Sequence, residues 1–189
     1  MSSEPVTAEP VSREPTGGLL AGPTVRRRWL LFCGLALVIV IADQLSKAWI
    51  VANIDRPTPV IGDFVRLTIV HNSGGIFGLF GASAPLLALA STLVIALIVF
   101  YQAREGVRYH WLLSGALGLL LGGALGNLID RLRLGYVIDF VDAGIGATRW
   151  YTFNVADSAI SVSMVLLIGI SLFGERVLRR RTLPAAPRP

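Results

Sequence analysis

Four runs of apolar residues, 29–52, 84–101, 112–130 and 155–173, dominate the pattern along this 189-residue chain. Each is close to the roughly 20 residues that a helix needs to cross the hydrocarbon core of a bilayer. They predict four membrane-spanning helices within one domain at 26–175. Residues 1–25, rich in Pro, Glu, Ser, Thr and Gly, bury little and are expected to form a disordered cytoplasmic tail. The stretch 176–189, ending "RRRTLPAAPRP", reads as a second, basic cytoplasmic tail. Between the first two runs, "VIGDFVRLTIVHN" alternates Val65, Leu67 and Ile69 with Phe64, Arg66 and Thr68, which is the period of a strand. "YVIDF" and "TRWYTF", between the last two runs, are further short strand candidates. The fold class expected is an all-α polytopic membrane protein with four transmembrane helices and a small extracytoplasmic β element. A rival for the first run is a cleaved export signal, because "RRRWLLFCGLALVIVIA" has a basic and then an apolar region. Its length, and the lack of a soluble cargo after it, favour a retained helix.

Composition agrees. The chain is 53% hydrophobic and 15% charged, where soluble domains carry about 25% charge. The formal net charge of +5 comes from arginines at the two ends and in one short loop, not from a basic stripe with interleaved aromatics. Nucleic acid is therefore not an expected partner. The distribution is instead a topology signal, since cytoplasmic segments retain Lys and Arg. Arg13, Arg26 to Arg28, Arg104, Arg108, Arg176, Arg179 to Arg181 and Arg188 mark one side, whereas the two longer loops carry only Arg56, Arg66, Arg133 and Arg149. Both termini are expected to be cytoplasmic. A single cysteine, Cys33, excludes an internal disulfide, and the separated His71 and His110 argue against a histidine metal site.

With that orientation, a rise of about 1.5 Å per residue brings the polar residues of the apolar runs to one depth. Asp43 and Lys47 fall in the outer half of the first helix, one turn apart. Asn127, Asp130 and Arg131 fall at the outer end of the third, Asp157 in the first turn of the fourth, and Asp139 in the loop between those two. Each has a bland reading. Asn154 and Asp157 have the spacing of a capping box. Asp43 and Lys47 could be an i, i+4 ion pair, Asp130 and Arg131 an interfacial anchor, and Asp142 a turn residue. Asp139, in the apolar "VIDFV", is the hardest to explain in this way.

A cysteine nucleophile is not expected at that depth, because Cys33 lies near the other end of its helix. A Ser–Lys pair drawn from Ser46 or Ser158 with Lys47 is an alternative. Two carboxylates sharing one proton are the other: one takes a proton from water while its partner protonates the reacting carbonyl oxygen. Such a pair titrates as a unit, so the proton belongs to neither residue alone.

The motifs resemble one family, the lipoprotein signal peptidases (signal peptidase II) of bacterial membranes. "DQLSK" (43–47) is similar to its D-x-x-[ST]-K stretch and "NSGGIFG" (72–78) to its N-x-G-x-x-F stretch. "GNLIDR" (126–131), "VIDF" (137–140) and "FNVAD" (153–157) follow in the family's order. The resemblance implies an aspartic endopeptidase of four transmembrane helices with an extracytoplasmic β cradle, in the bacterial inner membrane, without metal or organic cofactor. It implies removal of the signal peptide from prolipoproteins just before a diacylglyceryl-modified cysteine. Asp139 and Asp157 would be its catalytic dyad. Asn72, Gly74, Asn127, Arg131 and Asn154 would position substrate or dyad, while Asp43, Lys47 and Asp130 would support the site. The expected partners are lipidated prolipoproteins and membrane lipid, and the expected state is a monomer. Gly75 and Ile76 depart from the small alanines usual in the family, and the extension before Arg26 has no assigned role.

Two other classes compete. A small transporter subunit would spread its acids through the depth of the membrane. A structural assembly factor would use them only as caps and ion pairs. The glycines from Gly115 to Gly126 suggest close helix packing.

Overall fold

The computed structural model describes residues 23–73, 84–105 and 111–179. Four helices, α1 (Pro23–Asn53), α2 (Ala84–Glu105), α3 (Trp111–Leu134) and α4 (Val155–Arg179), surround one another with a small sheet at one end. All four are long and apolar enough to cross a membrane, which makes this a multi-pass membrane protein. Helices α1 and α4 run into the expected tails by a few residues, starting at Pro23 and ending at Arg179. Pro23 is compatible with the first turn of α1 because that turn's N–H groups have no intrahelical acceptor.

Helix α3 is central and packs against the other three. Its small residues make that possible. A Cβ on Gly122 would stand 2.7 Å from Ile39 Cβ and 2.8 Å from the Ala36 carbonyl oxygen, and one on Gly123 would stand 2.5 Å from the Ala156 carbonyl oxygen. The glycines thus let the backbones of α1 and α4 close on α3, as small residues do between helices in lipid. Phe32, Leu113, Leu117 and Leu121 fill the space between. The outward faces stay apolar, with Leu45 on α1 and Leu97 on α2 each 65% exposed and Val165 on α4 70% exposed. Such faces suit lipid and would be a liability in water.

Four antiparallel strands follow in the order β1 (Thr58–Ile61), β2 (Val65–Asn72), β3 (Val137–Ile145) and β4 (Thr148–Arg149). The strand expected from the alternation at 64–69 is β2, and "YVIDF" enters β3. "TRWYTF" is a strand only at Thr148 and Arg149, after which Phe153 makes a single bridge to Val141. Helix α3 stops at Gly135, whose φ of 81° and N–H bond to the Arg131 carbonyl (3.1 Å) form a left-handed cap. That turn sends the chain straight into β3, next to the ends of α1 and α3.

Asp142 is not a turn residue. It lies within β3, opposite Arg66 of β2, where Arg66 and Arg149 both bind its carboxylate. The expectations for residues 1–22, for Gly74 to Ile76 and the rest of 74–83, for His110 in 106–110, and for 180–189 lie outside the described residues.

Candidate active site

The sheet and the ends of α1, α3 and α4 meet around a cluster of polar side chains. Asn154 immediately precedes α4, and its side chain accepts from the Asp157 N–H (2.9 Å) while the Asp157 carboxylate accepts from the Asn154 N–H (3.3 Å). The capping box is therefore real. It has a second consequence, because it turns the other end of the Asn154 amide inward. Asn154 Nδ2 donates to Asp139 (2.7 Å) and to Asn127 Oδ1 (3.1 Å). Asn127 Nδ2 in turn donates to Asp157 (2.7 Å). Asp139, from β3, and Asp157, from α4, are thus joined through two amides. Asn72, at the end of β2, donates to the second oxygen of Asp139 at 2.9 Å.

A charged yoke lies beneath this layer. Lys47 Nζ contacts Asp43 (2.7 Å), Asp130 (2.8 Å) and Asn127 Oδ1 (3.3 Å), which matches the three donors of an ammonium. Asp43 also accepts from the Ala156 N–H (3.0 Å), one residue before Asp157, and Asp130 from the Ile138 N–H (3.2 Å), one residue before Asp139. Each buried acid of the yoke thus holds the backbone beside one aspartate of the upper layer. The i, i+4 pair exists, but Asp130 is not an interfacial anchor, being 2% exposed and paired with Lys47. Gln44 escaped the sequence reading. Its amide donates to Asp130 (2.9 Å) and the Gly126 carbonyl (3.3 Å), and its place beside Asp43 in "DQLSK" was the available signal.

The upper layer opens into a cleft of about 890 Å³. Asn72, Asn127, Arg131, Asp139 and Asp157 stand at its polar end, and Trp150 to Phe153 with Ile160 to Val162 form its walls. The Arg131 guanidinium donates to the Asn127 carbonyl at 3.4 Å. Burial raises the Asp139 carboxyl from its ordinary 3.8 to about 6, and the nearby Asp157 adds to the rise. The hydrogen bonds from Asn72 and Asn154 and the Lys47 charge oppose it by favouring the ionised form. Asp139 is 1% exposed by surface area, and the raised value fits that burial.

The Ser–Lys arrangement finds less support. Ser46 donates to the Asp43 carbonyl (2.8 Å) and Ser158 to the Asn154 carbonyl (3.0 Å), while Lys47 is engaged by the yoke. Among the described residues no group of three His, Cys, Asp or Glu side chains has the arrangement of a metal site. Of the residues singled out from sequence, Asp43, Lys47, Asn72, Asn127, Asp130, Arg131, Asp139, Asn154 and Asp157 converge here; Gly74 lies outside the described residues.

The same architecture occurs in solved structures. Two bacterial membrane enzymes superpose with TM-scores of 0.68 and 0.66 at 26% and 28% identity; the matches cover 86% and 78% of this chain and 96% and 93% of theirs. Among curated proteins, the lipoprotein signal peptidase of Moorella thermoacetica is 45% identical over 138 residues, 72% of this chain and 89% of that protein. That of Rhodococcus jostii is 38% identical over 169 residues, 85% of this chain and 82% of that protein. The family described as Signal peptidase (SPase) II matches residues 35–173, a span that holds the yoke, both amides and both aspartates. With its helices, cleft and carboxylates in this arrangement, the chain belongs to the signal peptidase II family.

Proposed function

We propose that the cleft is the active site of an aspartic endopeptidase that removes signal peptides from prolipoproteins, with Asp139 and Asp157 as its catalytic pair. The observation that carries this reading is the hydrogen-bonded path Asp139–Asn154–Asn127–Asp157 at the polar end of a cleft with apolar walls. One carboxylate takes a proton from water, and the hydroxide equivalent adds to the scissile carbonyl carbon. The partner carboxylic acid gives its proton to the carbonyl oxygen. Collapse of the tetrahedral adduct breaks the C–N bond: the acid of the pair protonates the leaving amine while the other carboxylate takes a hydroxyl proton from the adduct as the carbonyl re-forms, so the pair ends the cycle with the one proton it began with.

The cut falls just before the diacylglyceryl-modified cysteine. A lipid anchored in the outer leaflet brings that bond to the interface, so the reading places both termini in the cytoplasm, the sheet on the extracytoplasmic side and the site near the outer face. The arginine distribution supports this orientation. The protease domain is 26–175, and the monomer holds every residue of the proposed site. Asn72, Asn127 and Asn154 orient the pair, and Arg131 offers donors to a substrate carbonyl or a lipid head group.

The test is cleavage of a diacylglyceryl-modified prolipoprotein by the purified full chain in micelles. Wild type is expected to cut before the lipidated cysteine, while folded Asp139→Asn and Asp157→Asn proteins do not. Cleavage by both variants at the wild-type rate would overturn the pair and return attention to Ser46, Ser158 and Lys47.

A further inference from the structure

Within β3, Asp142 is held by two arginines from other strands. Arg149 Nε donates to its carboxylate (2.9 Å), Arg149 Nη2 to its backbone carbonyl (3.1 Å), and Arg149 Nη1 to the Asp63 carbonyl (2.7 Å). Arg66, across the ladder in β2, holds the other carboxylate oxygen at 3.2 Å. These contacts tie the β1–β2 turn, β3 and β4 together at one guanidinium. That hydrogen bond from Arg149, with the charges of both arginines, keeps the Asp142 carboxyl below its ordinary range.

A guanidinium has five N–H donors. Three are engaged in these bonds, which leaves one on each of Nη1 and Nη2. Arg149 also lines the cleft that holds Asp139 and Asp157, immediately before the wall residues Trp150 to Phe153. Its position is set by a carboxylate and two backbone carbonyls, so little rotamer freedom is left to lose on binding.

Resting on the endopeptidase reading, we infer that Arg149 is a substrate-binding residue that clamps backbone carbonyls of the extended prolipoprotein segment at the rim of the cleft, and that Asp142 is the positioning residue that aims it. An extended peptide presents carbonyl oxygens along its length whatever its side chains. A preorganised cationic fork therefore suits an enzyme that must accept many signal peptides. Arg131, at the polar end of the same cleft, acts beside the reacting bond, whereas Arg149 acts on substrate entering across the sheet.

The experiment uses the full chain in micelles and a diacylglyceryl-modified prolipoprotein, with kcat and KM measured separately for wild type, Arg149→Gln, Arg149→Lys and Asp142→Asn. Arg149→Gln is expected to raise KM about tenfold, the worth of a charged hydrogen bond, with kcat within about twofold. Arg149→Lys should not restore KM, because one ammonium cannot satisfy Asp142 and Asp63 and still reach the cleft. Asp142→Asn should raise KM by a smaller factor in the same direction. A binding measurement in the Asp139→Asn background, with fluorescently labelled prolipoprotein, should show the same tenfold loss for Arg149→Gln. Unchanged KM and binding, with wild type cutting normally, would overturn the clamp alone. So would a fall in kcat that tracks a lower melting temperature, since that is the signature of a merely structural ion pair. Failure of wild type to cut would overturn the endopeptidase reading and the clamp with it.

Discussion

Replacing Lys47 by Met removes the only cation of the yoke while nearly preserving its volume. In the folded protein Lys47 is 2% exposed and lies between Asp43, 0% exposed, and Asp130, 2% exposed. The variant leaves two carboxylates facing each other without a counterion, out of reach of water. Breaking a buried ion pair from one side costs about 3–5 kcal/mol, far more than the roughly 0–1 kcal/mol of a surface pair. For a domain of this size that is a fall in melting temperature of roughly 10 °C. The function should suffer as well, because Asp43 and Asp130 hold the N–H groups next to Asp157 and Asp139. A displacement near 1 Å at reacting groups can cost on the order of a hundredfold in rate. The assay is thermal unfolding by circular dichroism in micelles, with kcat measured on the same preparation well below the transition. Lys47→Met combined with Asp130→Asn removes one orphaned charge and should recover about half of the lost stability. A single Lys47→Met protein with wild-type melting temperature and kcat would refute the claim that the yoke holds the aspartates in place.

Three further outcomes follow from the geometry. The folded Asp139 carboxyl titrates at about 6, above its ordinary 3.8. Its contribution to stability is therefore fully present below about 3.8 and lost as the pH rises through about 6. Because the Asn72 hydrogen bond favours the ionised form, Asn72→Leu should move the basic limb of the kcat/KM profile to higher pH; a limb that stays in place would refute that role. Gly122→Ala puts a methyl 2.7 Å from Ile39 Cβ and 2.8 Å from the Ala36 carbonyl. It should destabilise the α1–α3 packing by about 1–3 kcal/mol, read by the same thermal unfolding, whereas Gly34→Ala, with open space around its Cβ position, should not.

The helices were legible because the bilayer imposes a length and an apolar composition that few other structures require. The strand at 65–72 was legible from its alternation, and the cap at Asn154 from spacing alone. Asp142 was misread because a carboxylate followed by Ala and Gly looks like a turn, whereas two arginines from elsewhere in the sheet make it a strand residue. Gln44 was passed over because the acid it serves, Asp130, is 86 residues away.

By itself the sequence determined four membrane-length helices, the placing of acids toward the same ends of those helices and the local caps, since hydrophobic length and i to i+3 or i+4 spacing are properties of neighbouring residues. Only the tertiary structure decided which carboxylates share a site and which serve it from beneath. Asp43 and Asp157 are 114 positions apart, yet Asp43 holds the backbone N–H next to Asp157. Such a contact exists only after α3, through its glycines, has brought α1 and α4 together. Burial then does the rest, since it makes an unpaired charge costly and raises the proton affinity of Asp139.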